Sequence, residues 1–129
     1  MLIMKAQVSF YKCELCGNMV GMIKNAGGQL VCCGKPMTKL EANTTEASQE
    51  KHIPMVNIDN EKIAVQVGSV PHPMVPGHSI EWIALVSDSG TERVSLSMSD
   101  EPKATFYYRK NADIYAYCNL HGLWKVELI

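Results

Sequence analysis

The chain has 129 residues, 47% hydrophobic and 19% charged, with a formal net charge of −1. This suits one ordinary domain, or a very small domain joined to one of about 90 residues. There is no apolar run approaching the roughly 20 residues a membrane helix needs, and no basic stripe interleaved with aromatics, so membrane spanning and nucleic-acid binding have no support.

The start, Met1-Leu2-Ile3-Met4-Lys5, lacks the apolar core and small-residue cleavage site of a secretion signal, and a cytoplasmic location is expected. Residues 1–40 hold five lysines (Lys5, Lys12, Lys24, Lys35, Lys39) against the single acid Glu14, whereas residues 41–129 hold seven basic and twelve acidic side chains. A segment of 40 residues is too short for a stable core unaided, and a structural metal is the usual remedy. Four of the five cysteines lie here. In a reducing cytosol, clustered cysteines indicate metal binding or catalysis rather than disulfides. Cys13-Glu14-Leu15-Cys16-Gly17 forms a C-x-x-C-G knuckle whose turn points two sulfurs at one place, and Gly17 lets backbone amides approach them. Cys32-Cys33-Gly34 supplies adjacent cysteines with no spacer. Four thiolates suit a tetrahedral soft-ligand site, and metal binding would supply much of the segment's folding free energy. On the residues alone, zinc and a single iron are equal candidates; free or transiently oxidised thiols are the alternative.

The stretch 41–48 is polar and small, lacks hydrophobic periodicity, and is predicted to be a linker between residues 1–40 and 49–129. Beyond it, short β-type runs recur between turn signals: Ile63–Val67, Ile80–Val86, Arg93–Met98, Thr105–Arg109, Ile114–Cys118 and Trp124–Ile129. Several alternate apolar with polar residues, as half-buried strands do, and their spacing predicts an all-β sandwich. No segment carries a 3.6-residue apolar period beyond one turn.

All four histidines of the chain, His52, His72, His78 and His121, fall in this region together with the fifth cysteine, Cys118. Each histidine stands beside Pro or Gly on a predicted loop or strand end, where functional groups are often placed on a β scaffold. Cys118 and His121 are three residues apart and would also suit a nucleophile–base pair, but that leaves three histidines unexplained. Blue copper uses two His, one Cys and a weak axial Met, yet the last methionine, Met98, lies upstream of Cys118. Four nitrogens and one sulfur describe instead a square-pyramidal site with one open position, where a small dioxygen species can bind.

Taken together, these residues resemble desulfoferrodoxin, the two-iron class of superoxide reductase, across essentially the whole chain. Cys13, Cys16, Cys32 and Cys33 follow the C-x-x-C…C-C pattern of a desulforedoxin-like domain. Glu50-Lys51-His52-Ile53-Pro54 fits an E-K-H-x-P motif, Val70-Pro71-His72-Pro73-Met74 and Gly77-His78 fit the next two ligand segments, and Cys118-Asn119-Leu120-His121-Gly122 fits a C-N-x-H-G ending. No ligand position departs from the pattern. The resemblance implies an immunoglobulin-like catalytic domain, with His52, His72, His78 and His121 as equatorial ligands and Cys118 as axial thiolate. It implies Glu50 as sixth ligand of the oxidised iron, and Lys51 as the cation that attracts superoxide and helps deliver protons. It further implies an accessory electron-transfer iron at the four cysteines (with zinc as the other occupant), a donor such as rubredoxin, and a homodimer.

Overall fold

The computed structural model describes residues 8–47 and 49–128. The N-terminal stretch Met1–Lys5 and its Lys5, the linker residue Ser48 and the strand end Ile129 lie outside the described residues. The chain divides into two compact units, one running to Glu41 and the other taking up the chain from Ala42.

In the first unit, β1 (Ser9–Lys12) pairs antiparallel with β2 (Met19–Met22), and on its other edge with β5 (Thr38–Lys39). A two-residue hairpin joins β3 (Val31–Cys32) to β4 (Lys35–Pro36). Its apolar interior is small, with Phe10 and Cys13 buried. So little buried surface matches the expectation that this segment depends on a metal.

The second unit is an immunoglobulin-like β-sandwich. It opens with a single helical turn, α1 (Gln49–His52), followed by β6 (Pro54–Asp59) and β7 (Lys62–Val67). The remaining strands are β8 (Ile80–Ser87), β9 (Gly90–Ser95), β10 (Lys103–Tyr107), β11 (Asp113–Cys118) and β12 (Gly122–Glu127). They form one sheet of order β10-β7-β6 and another of order β12-β11-β8-β9. Alternation along the strands sends Ile63, Val65 and Val67 of β7 into one core with Ile83 and Leu85 of β8 and Ile114 and Ala116 of β11.

Six of these seven strands were legible from alternation, β6 was not among the expected runs, and strand ends were less legible. The run expected over Arg93–Met98 is β9, which begins earlier, at Gly90, and stops at Ser95. There the Ser87-Asp88-Ser89-Gly90 turn folds the chain back so that Ser87 faces Gly90, and pairing register decides the strand. Similarly, Tyr108 and Arg109 fall beyond β10. The stretch 41–48 is in part tied down: the Asn43 amide donates to the Leu123 carbonyl, and its side chain bridges both backbone groups of Lys125.

Candidate metal centres

The four cysteines of the first unit converge, with their sulfurs all within 4.8 Å of one another. All five cysteines of the chain are free thiols. The Cys13 carbonyl accepts the Gly17 amide, closing the knuckle, and Gly17 takes a φ of 83° that favours glycine. Cys16 Sγ stands 3.6 Å from Cys32 Sγ, and Cys32 Sγ 3.9 Å from Cys33 Sγ. Sulfurs each about 2.3 Å from one tetrahedral metal stand about 3.8 Å apart, so the cluster has the spacing of a single-ion site. Cys33 has a φ of 54°, unusual for a residue with a side chain, which lets consecutive cysteines aim at one point. The amides of Cys16 and Leu15 hold the Cys13 thiol down at about 6. Crowding by the Cys16 and Cys32 sulfurs pushes Cys33 up to about 12, and Cys16 with Cys13 raises Cys32 as well. Thiols that hold protons against one another release them to a cation.

In the sandwich, His52, His72, His78, His121 and Cys118 converge, with one donor atom from each and all five atoms within 4.8 Å of one another. They arrive from four places. His52 ends the α1 turn, His72 and His78 sit on the loop between β7 and β8, Cys118 ends β11, and His121 lies in the turn before β12. A register shift between β11 and β8 falls at Cys118, where the partner jumps from Trp82 to Ile80. Such a bulge re-aims the side chain at a strand end.

A backbone contact selects the ligand atom of His72. His72 Nδ1 donates to the Pro73 carbonyl at 2.8 Å, leaving Nε2 as a lone pair. That Nε2 is 3.1 Å from His52 Nε2, which is itself 3.1 Å from His121 Nδ1. Nitrogens about 2.1 Å from one metal and at right angles to it stand about 3 Å apart. Among the described residues, His78 Nε2 is the one buried side-chain nitrogen or oxygen without a hydrogen-bond partner. A buried polar atom so orphaned calls for an explanation, and a shared metal ion explains it. The electrostatics agree. Burial holds His72 down at about 4 and lowers His78, to which the nearby His121 and the Lys51 ammonium add. Burial pushes the Cys118 thiol up, while the amides of His121 and Leu120 pull it back. Neutral imidazoles and a thiol that ionises only toward a cation make a donor set for a transition metal.

Residues 44–127 match the desulfoferrodoxin family, and residues 5–40 match the desulfoferrodoxin N-terminal domain. The chain belongs to the desulfoferrodoxin family. The desulfoferrodoxin of Syntrophotalea carbinolica is 46% identical over 125 residues, covering 96% of this chain and 99% of that one. A desulfoferrodoxin homologue of Archaeoglobus fulgidus is 47% identical over 116 residues, covering 89% of this chain and 93% of its own. Among solved structures, the superoxide reductase from Treponema pallidum matches with a TM-score of 0.75 at 33% identity, over 93% of this chain and 98% of that one.

Within this desulfoferrodoxin scaffold, several residues support the ligands through contacts that the sequence did not signal. Asn119 accepts the Ser79 amide on its side chain and donates its own amide to the Ser79 carbonyl, tying the His78 loop to the Cys118–His121 turn. Gly68 and Ser69 fasten the α1 turn: the Glu50 carbonyl accepts from Ser69 Oγ and the Val70 amide, and the Ile53 carbonyl from the Gly68 amide. Trp124 packs on His52. No helix among the described residues is long and apolar enough to cross a membrane.

Proposed function

We propose that the chain is a cytoplasmic superoxide reductase. In the reaction one superoxide takes one electron and two protons and leaves as hydrogen peroxide. The observation that carries this reading is the convergence of four imidazoles and one thiolate, a donor set that leaves an octahedral metal one ligand short. Membership of the desulfoferrodoxin family and likeness to the Treponema pallidum superoxide reductase support it. His52, His72, His78, His121 and Cys118 would hold one iron and Cys13, Cys16, Cys32 and Cys33 the other. Iron held by the five donors would supply the electron and a place for superoxide to bind.

The surrounding residues handle charge and protons. Net charge over residues 41–129 is negative and repels an anion, so a local cation near the open position has a large effect on capture. Lys51 is exposed, and its charge is felt at His78. It attracts superoxide and positions proton delivery. Glu50, next to it on the same turn, would offer its carboxylate to an oxidised iron. Lys51→Ala is expected to slow superoxide capture about tenfold at low salt and to flatten its ionic-strength dependence. Stopped-flow rates that are the same in both proteins at low and high salt would remove Lys51 from this role.

Residues 1–40 form an accessory electron-transfer domain in this reading, with 41–48 as connector and 49–129 as the catalytic domain. Lysines of the first segment, including Lys12, Lys24, Lys35 and Lys39, favour an acidic donor such as rubredoxin. Donor reduction rates indifferent to salt would argue against that docking. A homodimer would help stabilise so small a first unit, and sedimentation at the monomer mass would count against it. The function itself is tested by supplying superoxide and a reductant to iron-loaded protein. One peroxide per superoxide without dioxygen is expected, whereas dioxygen release would identify a dismutase.

A further inference from the structure

Four of the five donors in the sandwich reach the cluster from outside the named strands, and two of these come from turns far apart in sequence. His52 ends an isolated helical turn, and His121 sits in the turn between β11 and β12. They lie 69 positions apart in sequence, yet their ring nitrogens stand 3.1 Å apart. Something rigid must register one against the other. β12 pairs with β11 so that Trp124 faces Ala116 and Gly122 faces Cys118. Period-two alternation therefore puts the indole on the same sheet face as the Cys118 sulfur. Trp124 is 1% exposed. Its ring stacks on the His52 imidazole, with centroids 4.9 Å apart and planes at 24°, and its Nε1–H donates to the His121 carbonyl at 3.1 Å.

We propose that Trp124 is a positioning residue of the five-ligand centre, fixing the ring plane of His52 by stacking and the backbone of His121 by its indole N–H. The inference rests on those five residues holding a metal. A buried indole N–H needs an acceptor, and here the acceptor belongs to a ligand residue. One side chain on a paired strand thus sets both ligands before the metal arrives. Groups that orient metal ligands in this way commonly alter metal affinity by 10–100-fold when removed.

The test uses full-length iron-loaded protein and the variants Trp124→Phe and Trp124→Leu, with His78→Ala marking which fraction of iron belongs to this site. Iron extraction by a chelator and the electron paramagnetic resonance of the oxidised site are read alongside the melting temperature of the metal-free chains. Trp124→Phe keeps a ring and loses the N–H, and is expected to release this iron a few times faster. Trp124→Leu loses both contacts, and is expected to release it about tenfold faster with a broadened resonance. If both variants keep the wild-type extraction rate and resonance, Trp124 only fills space, whatever their melting temperatures, and the proposal is overturned. Should Trp124→Leu fail to fold, Trp124→Phe decides alone. Wild-type protein with no iron that His78→Ala removes would overturn the site reading, and this inference with it.

Discussion

Cys118→Ser is expected to lower superoxide reduction by at least about a hundredfold while leaving the sandwich folded and the four-cysteine iron in place. Residues that merely orient metal ligands cost 10–100-fold in affinity or activity when mutated, and a ligand should cost no less. The substitution is nearly isosteric, so the β11 end and its pairing with Gly122 survive. What changes is the donor. The thiol is fully buried, and burial favours its neutral form, so only a cation at the cluster draws off its proton. A serine hydroxyl in the same place stays protonated and is a much harder donor, poorly matched to the soft side of a redox metal. A thiolate from Cys118 would also donate electron density to a bound iron, and a serine there would not. Two measurements check this: superoxide decay after rapid mixing, and iron per chain by elemental analysis. Activity within about tenfold of wild type would show that Cys118 takes no part in the working centre.

Gly68→Ala is expected to destabilise the second unit by about 3 kcal/mol and to loosen its iron. Gly68 has a φ of 83°, in the left-handed region. A residue with a side chain held there costs roughly 1–3 kcal/mol, and overpacking a tight contact adds roughly 1–3 kcal/mol. A Cβ at this place would lie 2.7 Å from the Glu50 carbonyl oxygen, 2.6 Å from that of Lys51, and closer still to that of Val70. All three obstacles are backbone, so no side chain can swing aside. The α1 turn carrying Glu50, Lys51 and His52 would have to move, and its hydrogen bonds to Gly68, Ser69 and Val70 with it. Denaturant unfolding of the metal-free chain, followed through the sandwich, measures the first effect and chelator extraction the second. A loss under about 1 kcal/mol would mean that the loop relaxes freely.

Gly68 also shows where sequence reasoning ran out. Read along the chain, it is one more turn glycine after a strand. Much of its reason for being glycine lies 17 and 18 positions upstream, in the Lys51 and Glu50 carbonyls that only the folded loop brings near. Asn119 is similar. Its place inside the C-N-x-H-G ending was visible, but its reciprocal pairing with Ser79 was not, because 40 positions separate the two. Trp124 looked like an apolar strand residue, and β12 does contain it; its contacts with His52 and His121 come from strand pairing. By contrast, the C-x-x-C-G knuckle was legible at once, since its turn, its glycine and its amide-to-sulfur contacts all lie within five residues.

The amino-acid sequence by itself determined the inventory: four clustered cysteines, four histidines with a distant cysteine, a segment too small to fold on apolar burial, and an alternating β pattern beyond it. Each of these is local chemistry or local period, and neighbouring residues suffice to specify it. Tertiary structure decided the rest. It brought donors from positions 52 to 121 within 4.8 Å, chose Nε2 of His72 by giving its Nδ1–H to Pro73, and left His78 Nε2 buried and unpaired. Convergence of that kind depends on pairing register, on a bulge at Cys118 and on packing between elements distant in sequence, and none of these is written in any one stretch of the chain.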